Sequence, residues 1–433
     1  MKYAVVTFGC RVNQSDSLAL EEQLLASGAV PAQPDRADLV VVNTCSVTAT
    51  ADQGARQTIR RIARDNPAAR IVVTGCYATR RPDEIAALPN VAQVVCNDDK
   101  PRLLQLMSRA AGSAAFAVSA SSAVSEDGPC GAPIEPGVGG RTAYTLRVQT
   151  GCAEPCSYCI IPATRGAPRS VAMAVVLREV GRVAALGFKE IALTGVHLGS
   201  YGRDLDPRAS LIELLERLQR WCAGNGARER VLFRISSLEP MDCSPEIVDL
   251  VAASDCFAPH VHLPLQHASP RLLAAMRRPY SIEYYAALVD RIHARMPHAS
   301  IGSDIIVGFP GESGDDFEAL AAYLERSPLT HLHVFPYSDR PGTLASTLGG
   351  RPSGVVVRER AGRVREIGRR LTDRFHDSQI GTLHDALTLE DGSTAVTGNY
   401  LKLRIPPGRS RNQWVRVKVA SHDPLTGVVV EAD

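Results

Sequence analysis

Tyr144-Thr145-Leu146-Arg147-Val148-Gln149-Thr150-Gly151-Cys152-Ala153-Glu154-Pro155-Cys156-Ser157-Tyr158-Cys159 reads as a short apolar strand running into a loop that carries three cysteines. At C-x3-C-x2-C spacing the loops between the thiols are short, so Cys152, Cys156 and Cys159 can converge on one metal centre. A [4Fe–4S] cluster normally takes four cysteines, and three leave one iron open to bind something else. A closed zinc site wants four ligands from Cys and His, usually as C-x2-C pairs, and no fourth ligand stands near this loop.

The loop opens a long strand–helix alternation. Apolar strand runs at 144–149, 190–194, 231–236, 260–265, 300–307 and 331–335 alternate with amphipathic runs at 175–186, 211–221, 245–252, 282–296 and 315–324. Six such units predict a partial (β/α)6 barrel of the TIM type, with its reactive groups at the C-terminal ends of the strands. An open doubly wound sheet is the alternative that pattern alone leaves. Upstream, strand runs at 5–8, 39–42, 71–74 and 91–95 alternate with helical runs at 17–26, 52–64 and 83–88, which predicts a doubly wound parallel sheet. An Ala/Ser/Val-rich and then Gly/Pro-rich stretch separates the two, and it reads as an irregular linker. Downstream of an Arg-rich helical run at 355–371, short β-like runs at 386–389, 400–405, 414–419 and 427–431 predict a small antiparallel β-barrel. The chain is thus expected to be a multidomain α/β protein divided at 1–107, 108–140 (linker), 141–371 and 372–433.

Eleven cysteines in 433 residues, without the apolar core and cleavage site of a signal peptide, argue against a disulfide framework and for a cytoplasmic protein with reduced thiols. No run approaches the ~20 apolar residues that cross a bilayer. Net charge is only +2, so nucleic-acid contact must come from local patches. Cys10, Cys45 and Cys76 each follow an apolar strand, and their separations of 35 and 31 residues each match one strand–helix repeat. All three thiols should therefore emerge at the C-terminal edge of one parallel sheet, where open α/β domains bind ligands. They suggest a second cluster. Burial as small hydrophobes is the bland alternative, but Gly9, Thr44 and Gly75 mark loops. Cys96 ends a fourth apolar run and could join Cys10, Cys45 and Cys76, with packing the blander alternative, whereas Cys130, Cys222, Cys243 and Cys256 show no ligand spacing and are read as structural.

Cys-x3-Cys-x-aromatic-Cys resembles the signature of the radical S-adenosylmethionine (SAM) superfamily. With it, the motifs Thr7-Phe8-Gly9-Cys10-Arg11-Val12-Asn13-Gln14, Asn43-Thr44-Cys45-Ser46-Val47-Thr48 and Thr74-Gly75-Cys76-Tyr77 make the chain resemble the radical-SAM methylthiotransferases. The terminal region resembles, more loosely, the RNA-binding module called TRAM. Within that family the runs Thr194-Gly195-Val196-His197-Leu198-Gly199, Arg234-Ile235-Ser236-Ser237-Leu238-Glu239-Pro240 and His333-Val334-Phe335-Pro336-Tyr337-Ser338 are similar to the branch (the MtaB type) that acts on N6-threonylcarbamoyladenosine of tRNA. Gln266-His267-Ala268-Ser269 departs from the family's usual Gln-Ser-Gly-Ser. The other branches act on isopentenyl-adenosine of tRNA or on an aspartate of a ribosomal protein.

The resemblance implies two [4Fe–4S] clusters and two SAM molecules. SAM on the cluster of Cys152, Cys156 and Cys159 would yield a 5′-deoxyadenosyl radical that activates C2 of adenosine 37. A sulfide on the cluster of Cys10, Cys45 and Cys76 would be methylated and transferred. It also implies that Tyr158 lies beside the adenine of SAM and that Thr194, Gly195, Ser236 and Gln266 line its site. The partners it implies are the tRNA anticodon stem-loop and an electron donor such as a flavodoxin or ferredoxin, with no membrane. Lys402, Arg404, Arg411, Arg416 and Lys418, with Trp414 among them, fall in a stretch free of Asp and Glu. Basic groups neutralise phosphates and an aromatic stacks on an exposed base, which makes these six the expected RNA contacts; a solvated surface around a packed Trp414 is the alternative. A non-catalytic iron–sulfur RNA-binding protein would explain the cysteines and the basic patch but not the six-unit barrel.

Overall fold

A computed structural model describes residues 1–111, 135–136, 142–225, 230–389 and 391–430. Most of the expected linker, Cys130 included, lies outside the described residues.

The first unit runs β1 (Lys2–Thr7), α1 (Arg11–Ala26), β2 (Val30–Pro31), β3 (Leu39–Thr44), α2 (Ala49–Asp65), β4 (Arg70–Gly75), α3 (Cys76–Arg80), α4 (Pro82–Ala86), β5 (Val91–Val95) and α5 (Leu103–Ala111). Its strands form one parallel sheet in the order β2-β1-β3-β4-β5. Side chains alternate across a strand, and β3 shows the consequence. Val40 and Val42 pack with Ile59 and Ile62 of α2, whereas Leu39 and Val41 pack with Leu20 and Leu24 of α1 and Leu103 of α5. Both faces are therefore covered, and the sheet is doubly wound. The two-residue β2 lacked an apolar run that would have announced it.

The second unit contains β6 (Tyr144–Arg147), β7 (Gln149–Thr150), α6 (Ile161–Arg165), β8 (Arg169–Ser170), α7 (Met173–Ala185), β9 (Glu190–Thr194), α8 (Leu211–Asn225), β10 (Leu232–Ile235), α9 (Pro245–Ala252), β11 (His260–His262), α10 (Pro270–Ala275), α11 (Ile282–Arg295), β12 (Ser300–Val307), α12 (Gly314–Arg326) and β13 (His331–Pro336). Two parallel three-stranded sheets, β10-β9-β6 and β11-β12-β13, meet through the parallel bridge Phe233–Phe257 and a hydrogen bond from Leu238 N to His262 O of 3.0 Å. The result is the partial six-stranded barrel that the alternation predicted. The expected first strand, 144–149, splits: β6 stays in the barrel, while Gln149 and Thr150 turn out to pair with Arg169 and Ser170.

α13 (Gly354–Gln379) packs Ala361, Val364 and Ile367 into the barrel's core and Phe375 against the terminal barrel. It thus runs through residue 371, where the sequence suggested a boundary, because one continuous helix serves both cores. β14 (Leu383–Leu389), β15 (Thr394–Thr397), β16 (Lys402–Arg404), β17 (Trp414–His422) and β18 (Leu425–Val429) close into a barrel in the order β14-β15-β16-β18-β17. This is the small antiparallel barrel that the sequence predicted, with one parallel pair, β16 and β18. Five strands cannot all alternate direction around a closed ring, so one neighbouring pair must share it.

Candidate active site

Cys10, Cys45 and Cys76 stand where β1, β3 and β4 end, as the repeat spacing required. Their approach depends on two glycines with left-handed backbones. Gly9 (φ +89) lies so close to Cys45 that an added Cβ would fall 2.6 Å from its Sγ. Gly75 (φ +99) would put a Cβ 2.2 Å from Thr44 O. Burial, joined by the neighbouring charges of Cys10 and Cys76, pushes the Cys45 thiol up to about 11. Asn97 Nδ2 lies 3.6 Å from Cys76 Sγ.

Beside these thiols sits a buried charge cluster. Asp16 accepts from Lys100 Nζ at 2.8 Å, from Arg165 Nη2 at 3.3 Å and from Arg147. Lys100 also donates to Asn43 Oδ1 (3.1 Å), and Arg165 to Asn13 Oδ1. Burial would favour the neutral acid, but these three cations hold Asp16 far below the usual carboxylate range. One carboxylate thus faces three cations. Buried charge that is not balanced is costly, and the surplus positive charge fits an anionic group held by the three thiols. Burial opposes the charge on Arg165 too, yet Cys76 and Asp16 outweigh it and keep the guanidinium protonated.

Cys152, Cys156 and Cys159 lie in the loop between β7 and α6. Arg278 Nη1 donates to Cys156 Sγ at 3.1 Å and pairs with Glu239. His197 Nδ1 lies 4.0 Å from Cys152 Sγ, and its Nε2 donates to Asp242 Oδ2 at 2.6 Å. Burial works against the imidazolium, but Asp242 and Cys152 outweigh it and lift His197 to about 10. Cys159 is driven up to about 12, first by burial and then by Cys156 and Cys152. A bound metal releases such protons outright, so both thiol sets suit iron–sulfur ligation.

α6 joins the two sites. It begins two residues after Cys159, and Arg165, in its last turn, reaches Asn13 and Asp16 of the first unit. Five helical residues span only about 8 Å, so both triplets belong to one interface. That interface is further held by Asn97 Nδ2 to Thr164 O (2.8 Å), Arg182 to Glu22 (3.2 Å) and Arg340 to Asp52 (2.7 Å).

The residues expected around SAM are placed as follows. Thr194 ends β9 and is buried, and Gly195 would put a Cβ 3.0 Å from Gln149 Oε1. Ser236 follows β10, and its buried hydroxyl has no hydrogen-bond partner. Gln266 holds a left-handed backbone (φ 68) while bridging to β12. Tyr158 packs against the cluster of Leu272, Met276, Ile306 and Phe309. Lys402, Arg404, Arg411, Arg416 and Lys418 are exposed on the terminal barrel. Arg416 pairs with Asp385 at 2.9 Å, and Trp414 carries the Arg230 guanidinium 4.6 Å over its ring. Arg230 also pairs with Asp385 at 2.6 Å, so Trp414 directly, and Arg416 only through Asp385, border the contact between domains. The cations around both triplets escaped the sequence reading, because Lys100, Arg147, Arg165 and Arg278 form no local pattern.

A family model described as uncharacterized protein family UPF0004 matches residues 2–97, and the radical SAM superfamily model matches residues 146–324. The threonylcarbamoyladenosine tRNA methylthiotransferase MtaB of Aquifex aeolicus is 35% identical over 420 residues, covering 97% of this chain and 100% of that protein. Its Bacillus subtilis counterpart is 34% identical over 85% of this chain and 80% of its own length. The tRNA-2-methylthio-N(6)-dimethylallyladenosine synthase of Corynebacterium efficiens is 32% identical over 90% of this chain and 75% of its own. Among solved structures, the radical SAM methyltransferase TsrM of Kitasatospora setae, with cobalamin and a [4Fe–4S] cluster bound, superposes with a TM-score of 0.57 over 80% of this chain and 76% of that one, at 18% identity. That likeness is one of fold. The chain belongs to the radical-SAM methylthiotransferase family.

Proposed function

We propose that this protein is the tRNA methylthiotransferase that converts N6-threonylcarbamoyladenosine at position 37 to its 2-methylthio derivative. The observation that carries it is the pair of cysteine triplets on two domains, joined within one interface by Arg165. The relatives of matching length bear that activity in their names. In this reading Cys10, Cys45 and Cys76 hold one [4Fe–4S] cluster, and Cys152, Cys156 and Cys159 hold the other. When bound, the clusters and SAM supply the radical and the sulfur that a carbon–sulfur bond at an unactivated C–H requires.

The protein's own groups bind and orient. The excess of Lys100, Arg147 and Arg165 over Asp16 offsets thiolate charge at the first site. Arg278 and His197 do so at the second. Ser236, Thr194, Gly195, Gln266 and Tyr158, at or near the strand ends, shape the SAM site, Ser236 with its free hydroxyl. Lys402, Arg404, Arg411 and Lys418 offer charge to the tRNA backbone, with Trp414 and Arg416 at the inner edge of that surface. We assign the domains to residues 1–107, 141–371 and 372–433, with a linker at 108–140 into which α5 runs as far as Ala111, and α13 shared across the last boundary. A flavodoxin or ferredoxin would deliver the electron. No helix among the described residues is long and apolar enough to cross a membrane, and with tRNA as substrate we place the protein in the cytoplasm.

Nucleoside mass analysis of tRNA from cells with and without the gene tests this. The 2-methylthio derivative of threonylcarbamoyladenosine should disappear with the gene. Its persistence, or loss of the isopentenyl derivative instead, would refute the assignment.

A further inference from the structure

The barrel wall carries a second group of titratable side chains apart from both triplets. The parallel register sets His262 of β11 beside Gly302 of β12, and Gly302 and Asp304 beside His331 and His333 of β13. By strand alternation these residues share one face. It is the face opposite Ser303, which accepts from Tyr285 Oη of α11 at 3.1 Å, so they line the inside of the barrel. The rings lie close, with centroids of His262 and His333 5.2 Å apart and those of His331 and His333 5.5 Å apart. A Cβ at residue 302 would fall 2.1 Å from His331 Nε2, so the arrangement needs a glycine there. Asp304 Oδ1 accepts from His262 Nε2 at 3.0 Å and from His333 Nδ1 at 3.2 Å.

One end of this wall reaches the surroundings of Tyr158, and the other reaches a contact made by Arg11. Ile306, next along the same face, belongs to the cluster against which Tyr158 packs. At the other end His260 meets the Tyr400 ring edge-on, with centroids 4.6 Å apart, and Tyr400 Oη accepts from Arg11, the residue after Cys10. His333 is the accessible member, its side chain 57% exposed. Its Nδ1 is committed to Asp304, which favours the imidazolium against burial and leaves Nε2–H for a ligand. The Asp304 charge is already shared between two histidines, so an incoming anion meets the imidazolium first.

A hydrocarbon N6 substituent laid on this wall would strip water from ionisable groups and return no hydrogen bond. A threonylcarbamoyl substituent carries a carboxylate, a hydroxyl and ureido groups, and its carboxylate would gain a charge-assisted hydrogen bond. We propose that His333, held by Asp304 and backed by His262, binds the carboxylate of the substrate's N6 substituent and so separates an acidic substituent from a hydrocarbon one. This rests on the tRNA reading above.

The test uses the full-length protein with its clusters loaded. Anticodon stem-loops carrying threonylcarbamoyladenosine, isopentenyl-adenosine or plain adenosine at position 37 are bound to the wild type, His333→Phe and His333→Gln, and iron is counted in each. The wild type should prefer the threonylcarbamoyl stem-loop over plain adenosine by about tenfold, the scale of one hydrogen bond to a charged group. His333→Phe should bring the two within about twofold, and His333→Gln, which keeps a donor, should retain part of the preference, with iron unchanged in both. An undiminished preference in His333→Phe would overturn the proposal while leaving the enzyme's activity standing. The ligand atoms of His262, Asp304 and His333 lie within 4.8 Å of one another, close enough for a cation. Loss of the wild-type preference on adding a chelator, with clusters intact, would also overturn it, since an ion would then hold the carboxylate. Wild-type turnover of the isopentenyl stem-loop alone would overturn the substrate reading itself.

Discussion

His267 stands where the family resemblance led one to expect serine, and the structure shows how the chain accommodates it. The ring is fully enclosed, its Nδ1 accepting from Ser269 N at 3.0 Å and its Nε2 unpartnered. Burial therefore keeps it neutral down to about 4. In an unfolded chain histidine titrates near 6.5. Between those values the unfolded state takes up a proton that the native state refuses, so acidification destabilises the fold and the loss levels off below about 4. The contribution is about 1.4 kcal/mol per pH unit inside that window. Urea titrations of the wild type and His267→Gln at pH 7 and pH 5 check it. The variant should lose less stability on acidification, and an equal loss would place the acid sensitivity elsewhere.

The strand ends and α6 decide whether the thiols meet. Gly75 combines a left-handed φ of +99 with a would-be Cβ 2.2 Å from Thr44 O, so no side chain fits without moving β3 or β4. Gly75→Ala should therefore separate Cys45 from Cys76 and lower reconstituted iron from about eight toward about four per chain, given four irons per cluster. Iron assay and cluster absorbance measure this; full iron content would show that the edge tolerates the shift. The opposite end of the interface tests separately. Arg165→Met leaves all six cysteines in place but removes the only described side chain that reaches Asn13, Asp16 and Cys76 together. Cluster loading at the first site should fall while 5′-deoxyadenosine release from SAM persists, and product analysis separates the two. Coupled loss of both would mean that α6 itself had collapsed.

For the whole molecule, the terminal barrel's charge matters through its sum. Lys402, Arg404 and Lys418 project from exposed positions on β16 and β17, while Arg416 is partly spent on Asp385. Each phosphate that the protein ceases to neutralise should flatten the dependence of log affinity on log salt by a little under one. Replacing all three by Gln should thus remove nearly three from the slope of tRNA binding, and filter binding across a salt series reads it directly. An unchanged slope would take these residues out of the interface.

The cysteine spacings and the strand–helix alternation determined the three-cysteine loop, both α/β units and the terminal β unit, because local periodicity is what burial acts on. Cys10, Cys45 and Cys76 were legible as a set for the same reason: a repeat of constant length returns each strand end to one edge. Three features needed the tertiary structure. The five-strand barrel had to close with a parallel pair, a constraint of the ring that no segment contains. The cations around each triplet come from distant strands and helices, and only packing brings Lys100, Arg147 and Arg165 onto Asp16. The histidine wall depends on a register across three strands and on the absence of a side chain at Gly302. Sequence periodicity places a residue on a face; which charges share a low-dielectric space is decided by the fold, since that balance is struck between residues far apart in the chain.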